Sequence, residues 1–278
     1  MKTVEPIYVI DLFPKLDARL IELLESLSDD EWHSPTICAL WDVKDVAAHL
    51  LDTNLRKLSM FRDKYFGDKP GGINSYQDLV DYLNRLNAEW VKAARRLSPR
   101  VITNLLEQTN REVFESLKEI DPHAEAVYSV AWAGEQVSEN WFDIAREYTE
   151  KWHHQQQIRL AVRRPGIMER ELYYPVLDTF MRALPYTYRN ADAGDGTLLK
   201  FNIAGDAGGS WFLLRQSEQW QLLKEAEGPF TSEVTIGEEI AWRLFTKGID
   251  KEAAKKDIQI IGDVGLGGEI INMLSVMA

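Results

Sequence analysis

Few side chains in this sequence are suited to chemistry, and one pair of them has a telling spacing. Of the five histidines, His33, His49, His123, His153 and His154, the last follows Glu150 by four residues. On a helix that spacing stacks a carboxylate and an imidazole one turn apart on the same face. Such a pair offers two ligands to a first-row divalent metal, and a third from another helix would leave a fourth position open for water or substrate. His49 is the natural third. The same spacing also suits a solvated pair on a helix surface. Cys38, the only cysteine, stands just before Trp41-Asp42. It has no activating histidine beside it in sequence and reads as a small packed residue rather than a nucleophile.

The elements that must position these groups are helical in the first half of the chain. Leu12, Leu16, Leu20, Leu23, Leu24 and Leu27 form one apolar face of a helix ending near Ser28-Asp29-Asp30. Asp42 caps a second helix with Val43, Val46, Ala47, Leu50, Leu51, Leu55 and Leu58 as its stripe, running to about Tyr65. A loop through Gly67, Pro70, Gly71 and Gly72 follows, and Ser75 with Asp78 opens a third helix. Ser98-Pro99 sets an N-cap and first helical position, so Val101 to Leu117 is either a new helix or a continuation across a break, ended by Asp121-Pro122. A long helix from about Ser138 to Val162 stops at Arg163-Arg164-Pro165-Gly166. Long helices with short connections predict an up-and-down bundle.

Beyond Pro165 the pattern changes. Glu169 to Tyr188 is an aromatic-rich connector, part of it helical. Strand-like runs then begin at Leu198, with a hairpin at Ser217-Glu218, a strand at Ser232 to Ile236, and a helix from Glu238 to Lys247 ended by Gly248. Ile258 to Ile261 and Gly268 to Met277 read as a second strand-then-helix unit. The glycine-rich run between them lacks the Lys-Ser/Thr ending of a phosphate loop and reads as a turn. The expected class is α+β: a four-helix bundle over residues 1–166, then a smaller mixed α/β domain over 167–278.

Composition supports two domains at about 150 residues each, since the chain has 278 residues, 45% of them hydrophobic and 27% charged. With 44 acidic against 32 basic side chains, the formal charge of −12 disfavours nucleic acid and anionic membranes as partners. The first residues lack the long apolar core of a secretory signal, no apolar run is long enough to span a bilayer, and the expected location is cytoplasmic.

Periodicity alone leaves the histidines ambiguous. In the long helix Trp141, Ala145, Tyr148 and Trp152 form the apolar stripe, with Arg146, Glu150, His154, Gln157 and Ala161 opposite. His49 sits off the stripe of its own helix, near Asp45, Thr53 and Arg56. Either both rows are wet outer faces, or they turn towards each other and line a cleft.

Two segments carry a resemblance. WDVKDVAAHLLD (Trp41 to Asp52) and EKWHHQQQIRLAV (Glu150 to Val162) resemble the signature helices of the DinB-like superfamily, closest to its mycothiol-dependent maleylpyruvate isomerase branch. The C-terminal VTIGEEIAWRLFTKG and IQIIGDVGLGGEIINML resemble the sterol-carrier-like domain that follows the bundle in those proteins. The resemblance implies a divalent metal, zinc by preference, on His49, Glu150 and His154, with His153 a neighbour. It implies a low-molecular-weight thiol cofactor of the mycothiol kind. Thiol addition to an activated alkene, rotation and elimination would give cis–trans isomerisation, and capture without elimination S-transfer. Arg146, Gln157, Arg243 and Lys247 are the substrate-binding or second-layer candidates. Gln157 stands where the family often has Asp, and Lys247-Gly248 stands where many relatives have Gly-Arg. The expected partner is a small-molecule substrate, for a monomer or homodimer. The rival expectation is a non-catalytic small-ligand-binding or scaffold protein whose bundle is structural.

Overall fold

The computed structural model describes residues 1–67, 71–72 and 74–276. Pro70 of the expected glycine-rich loop and Met277 of the expected last helix lie outside them. Compact packing divides the chain into two units. One is Val9–Asp121 with Glu150–Ile167; the other is Met1–Tyr8 with Pro122–Thr149 and Met168–Val276.

The first unit is the bundle. α1 (Phe13–Glu25) leads through Ser28, whose side chain and Glu31 form a reciprocal capping box, into the short α2 (Asp29–Trp32). α3 (Val43–Lys57) is capped by Asp42, which accepts from the Asp45 backbone N–H at 2.8 Å. Its expected continuation to Tyr65 takes the form of a π-helical turn, Leu58–Arg62. α4 (Tyr76–Ala94) and α5 (Pro99–Lys118) start at Ser75 and Ser98, each side chain accepting from the N3 backbone. The last member is the C-terminal part of α6 (Asn140–Val162). α5 packs on α1 and α3, and α3 on α4. Leu20, Leu24, Val43, Val46, Ala47, Leu50, Leu51, Ile102, Leu106 and Ile158 form the apolar core.

Through this bundle runs a polar network that fixes its register. Lys151 Nζ on α6 donates to Asp17 Oδ1 on α1 at 2.9 Å and to Asn110 Oδ1 on α5 at 2.7 Å. Asn54 Nδ2 on α3 donates to the same Asn110 oxygen at 2.7 Å and to Thr109 Oγ1 at 3.0 Å. All these side chains are buried, so each must keep its partners to offset its lost hydration. Further clamps hold the helix ends. Arg164, just beyond α6, reaches Glu31 with Nη2 at 2.7 and 2.9 Å from its two oxygens and donates to the Ser26 backbone oxygen at 3.1 Å. Arg95 grips Asp45 of α3 with two nitrogens, at 3.2 and 2.8 Å.

The second unit packs helices on a six-stranded sheet of order β1-β4-β3-β2-β5-β6. Its helices are α7 (Arg170–Phe180), α8 (Leu184–Thr187), α9 (Glu238–Phe245), α10 (Lys251–Ala254) and α11 (Val264–Gly268). Its strands are β1 (Lys2–Thr3), β2 (Leu198–Ala204), β3 (Gly209–Gln216), β4 (Gln219–Glu225), β5 (Ser232–Gly237) and β6 (Ile258–Gly262). β2 and β5 run parallel and the other pairs antiparallel. The β3–β4 turn is Ser217-Glu218, with φ of 49° and 63°, the positive pair that a two-residue turn needs to match strand twist.

One element is added and two expectations change. β1 is an edge strand from a segment too short to show alternation. A cut at residue 166 would leave residues 1–8 and 122–149 with the bundle, whereas they pack with the sheet: β1 pairs with β4 and Tyr148 donates to the Leu172 carbonyl at 3.0 Å. The helix expected from Gly268 starts earlier, as α11, because Asp263 caps it by accepting from Leu266 N at 2.9 Å. Among the described residues no helix is long and apolar enough to cross a membrane.

Two outcomes follow. Asp17→Leu should destabilise the protein in urea by about 3–5 kcal/mol, because it leaves the Lys151 charge buried and unpaired; Asp17→Leu with Lys151→Met should recover most of that loss, and an additive double variant would contradict the pairing. The Ser28 N–H and the Arg164 guanidinium hold the Glu31 carboxyl below its usual range. Its stabilising contribution is therefore present above the unfolded value of 4.5 and lost as pH falls through the lower folded value. Glu31→Gln should lower the melting temperature at pH 7 and have little effect near pH 3; an equal effect at both would contradict it.

Candidate metal centre

The centre is assembled from two helices of the bundle unit. On α6, at about 100° per residue, His154 lies about 40° to one side of Glu150 and His153 about 60° to the other, so the three side chains are neighbours. Glu150 Oε2 is 3.5 Å from His154 Nε2 and 3.9 Å from His153 Nδ1. One donor atom from each of Glu150, His153 and His154 lies within 4.8 Å of the others. α3 brings the fourth group: the His49 ring packs edge-on against that of His154, with centroids 4.6 Å apart.

The wet-face reading of these rows does not hold, because His49, His153, His154 and Gln157 are only 6, 4, 7 and 3% exposed. α6 is covered on nearly every side over 147–159, which is why its stripe of Trp141, Tyr148 and Trp152 misjudged the opposite face. Burial, with His154 alongside, holds His49 in its neutral form well below the usual histidine range. Its Nδ1 is buried without a hydrogen-bond partner among the described residues, an arrangement that costs free energy unless that nitrogen finds a partner. His154 Nδ1 is 2.9 Å from Gln157 Oε1, which leaves Nε2 facing the Glu150 carboxylate. The His154 Nε2 and the Glu150 carboxylate oxygen, with His153, lie close enough to share one ion. Both observations fit a cation: the donors are of the nitrogen and oxygen type that zinc takes.

The chain between α2 and α3 builds one wall. Thr36 Oγ1 donates to the Trp41 carbonyl at 2.8 Å, Trp41 N donates to Cys38 O at 2.9 Å, and Val43 N to Ser34 O at 3.1 Å. The closed loop sets the Trp41 ring 4.9 Å from His49 and 6.4 Å from His154, centroid to centroid. Burial pushes the Cys38 thiol up, so it stays protonated. Trp41 is not among the site residues the sequence offered; its place one residue before the Asp42 cap was the available signal. Arg56 is the bundle's cation on the His49 row of α3. It pairs with Asp52 at 2.9 Å, and its charge helps keep His49 neutral.

The other candidates belong to the sheet unit. Arg146 pairs with Asp143, Arg243 donates Nε to the Glu239 carbonyl at 2.8 Å, and Lys247 closes α9 in a left-handed conformation with φ 59°. The structure thus brings together His49, Glu150, His154 and Gln157, adds His153 to them, and places Arg146, Arg243 and Lys247 in a separate unit.

Comparison with known proteins agrees with this architecture. A crystal structure of a histidine-to-alanine mutant of the mycothiol-dependent maleylpyruvate isomerase superposes with a TM-score of 0.53 at 11% identity, covering 90% of each chain. Another structure of that isomerase gives 0.48 at 12%, covering 84% of this chain and 86% of that one. A chain described as the UbiJ-SCP2 ubiquinone synthesis protein overlaps 32% of this chain and 76% of its own at 17% identity, with a TM-score of 0.24. No curated protein matches the sequence. At such identities the first likeness is one of fold. The family assignment comes from the sequence itself: residues 13–159 match the model of the mycothiol maleylpyruvate isomerase N-terminal domain. That match spans more than half of the chain and includes all four of the clustered metal-type side chains, and the chain belongs to that DinB-like family.

Proposed function

We propose that this protein is a metal-dependent enzyme that uses a low-molecular-weight thiol of the mycothiol kind on a small electrophilic substrate, as a maleylpyruvate-isomerase-like cis–trans isomerase or a thiol S-transferase. The observation that carries the reading is the His49 ring packed against that of His154, centroids 4.6 Å apart, beside the Glu150, His153 and His154 donor group, with His49 Nδ1 buried and without a hydrogen-bond partner among the described residues. His49, Glu150 and His154 would hold the ion, and one open position would remain among four. When bound, a divalent ion, zinc by its donor set, supplies the positive charge that favours a thiolate over a thiol.

The residues of the chain prepare that position. Burial keeps His49 neutral and therefore able to ligate at pH 7. Glu150 brings the one negative charge of the triad, so the loaded site keeps a net positive charge for an anionic sulfur. The Trp41 ring covers His49 and His154 on one side, which limits the water that reaches them. His153 sits beside Glu150 as a second-row imidazole in this reading. The acidic net charge of the chain does not oppose an anionic substrate, since the ion dominates the local field.

Metal analysis of the purified protein tests the ligand set. Wild type should carry one ion per chain, His49→Ala and His154→Ala should carry none, and His153→Ala should retain it. Full retention by both of the first two variants would sink the assignment. For the chemistry, maleylpyruvate and electrophilic acceptors should turn over with mycothiol, bacillithiol or glutathione and not without a thiol. Removal of the metal by a chelator should abolish that turnover. Intact metal without thiol-dependent turnover would point to a small-ligand-binding role or to other chemistry.

A further inference from the structure

We propose that Gln157 is a positioning residue of this centre: its amide oxygen holds His154 in the tautomer that presents Nε2 to the metal. The inference rests on the metal-centre reading above and adds to it a residue that supplies no ligand atom.

The argument starts from hydrogen-bond valence. His154 Nδ1 and Gln157 Oε1 are 2.9 Å apart, both side chains buried. An amide oxygen accepts and cannot donate, so the proton in that bond is carried by Nδ1, and a neutral ring keeps its lone pair on Nε2. Nε2 is the nitrogen on the cluster side, 3.5 Å from Glu150 Oε2. With the amide turned end for end, its NH₂ would donate to Nδ1 and the ring proton would move to Nε2, where it blocks coordination. The orientation of Gln157 therefore decides whether His154 can ligate.

Because Gln157 is only 3% exposed, bulk water is not at hand to replace that bond. Gln157 is a neutral amide with one accepting end; a carboxylate in its place would accept from Nδ1 with either oxygen.

The test is zinc affinity of the full chain, measured by competition with a chromophoric chelator, together with the visible spectrum of the cobalt-substituted protein. Gln157→Met keeps the volume and loses the bond to His154; it should weaken zinc binding by about 10- to 100-fold and change the cobalt spectrum. Gln157→Glu, which accepts from Nδ1 with either oxygen, should keep wild-type affinity and spectrum. Gln157→Leu, which also removes the acceptor, should weaken binding likewise, and serves as the second variant if Gln157→Met does not fold. Wild-type affinity in both Gln157→Met and Gln157→Leu would overturn the inference, as would a Gln157→Glu protein as impaired as Gln157→Met. A wild-type protein that binds no zinc would remove the metal-centre reading itself, so the two failures are distinct.

Discussion

The arrangement that everything else depends on is the buried hydrogen bonding of Lys151 to Asp17 and Asn110, with Asn54 on the same Asn110 oxygen. An apolar bundle core specifies that helices pack, and it tolerates small slips along and about their axes. A buried ammonium with fixed acceptors on α1 and α5 tolerates them poorly, since each lost bond leaves a polar group dry. Lys151 is the neighbour of Glu150, and Asn54 lies five residues after His49 on α3. Register set at the network is therefore register set at the metal centre. The ion pair itself contributes little net stability over a well-packed apolar pair; its value is in specifying one alignment of four helices.

A second constraint acts at the helix ends. The Ser34 to Val43 loop closes on itself, caps α3 through Asp42, and delivers Trp41 to the donor cluster. At the far end of α6, Arg164 ties the helix to Glu31 and Ser26. The segments that make the centre are thus held by capping chemistry that is local in sequence, and the network then aligns them across the bundle. The depressed affinity of His49 for protons follows from this assembly: burial and the facing His154 imidazole both disfavour its charged form, which is the state a ligand must avoid.

Much of this was legible in the sequence, and the limits have physical causes. Asp42, Ser75 and Ser98 marked helix starts because a side-chain cap is local, and Ser217-Glu218 marked the hairpin because strands flanked it. Glu150 and His154 were legible by spacing, and His49 by the need for a third donor. Their burial was not, because a helix enclosed on all sides carries polar residues wherever partners exist, and periodicity cannot see partners. His153 looked like a bystander since adjacent helical residues point about 100° apart; the structure shows that Glu150 lies between the two imidazoles in angle. The edge strand β1 escaped because two residues show no alternation.

The central claim is that His49 and His154 from two different helices, with Glu150, bind one divalent ion. X-ray absorption at the zinc edge of the purified protein tests it most directly. The account predicts a first shell of nitrogen and oxygen at about 2.0–2.1 Å, with outer-shell scattering of two imidazoles and no sulfur in the protein without added thiol. A sulfur shell at about 2.3 Å in that sample would place Cys38 on the metal, and a shell without imidazole scattering would remove both histidines; either result would contradict the account.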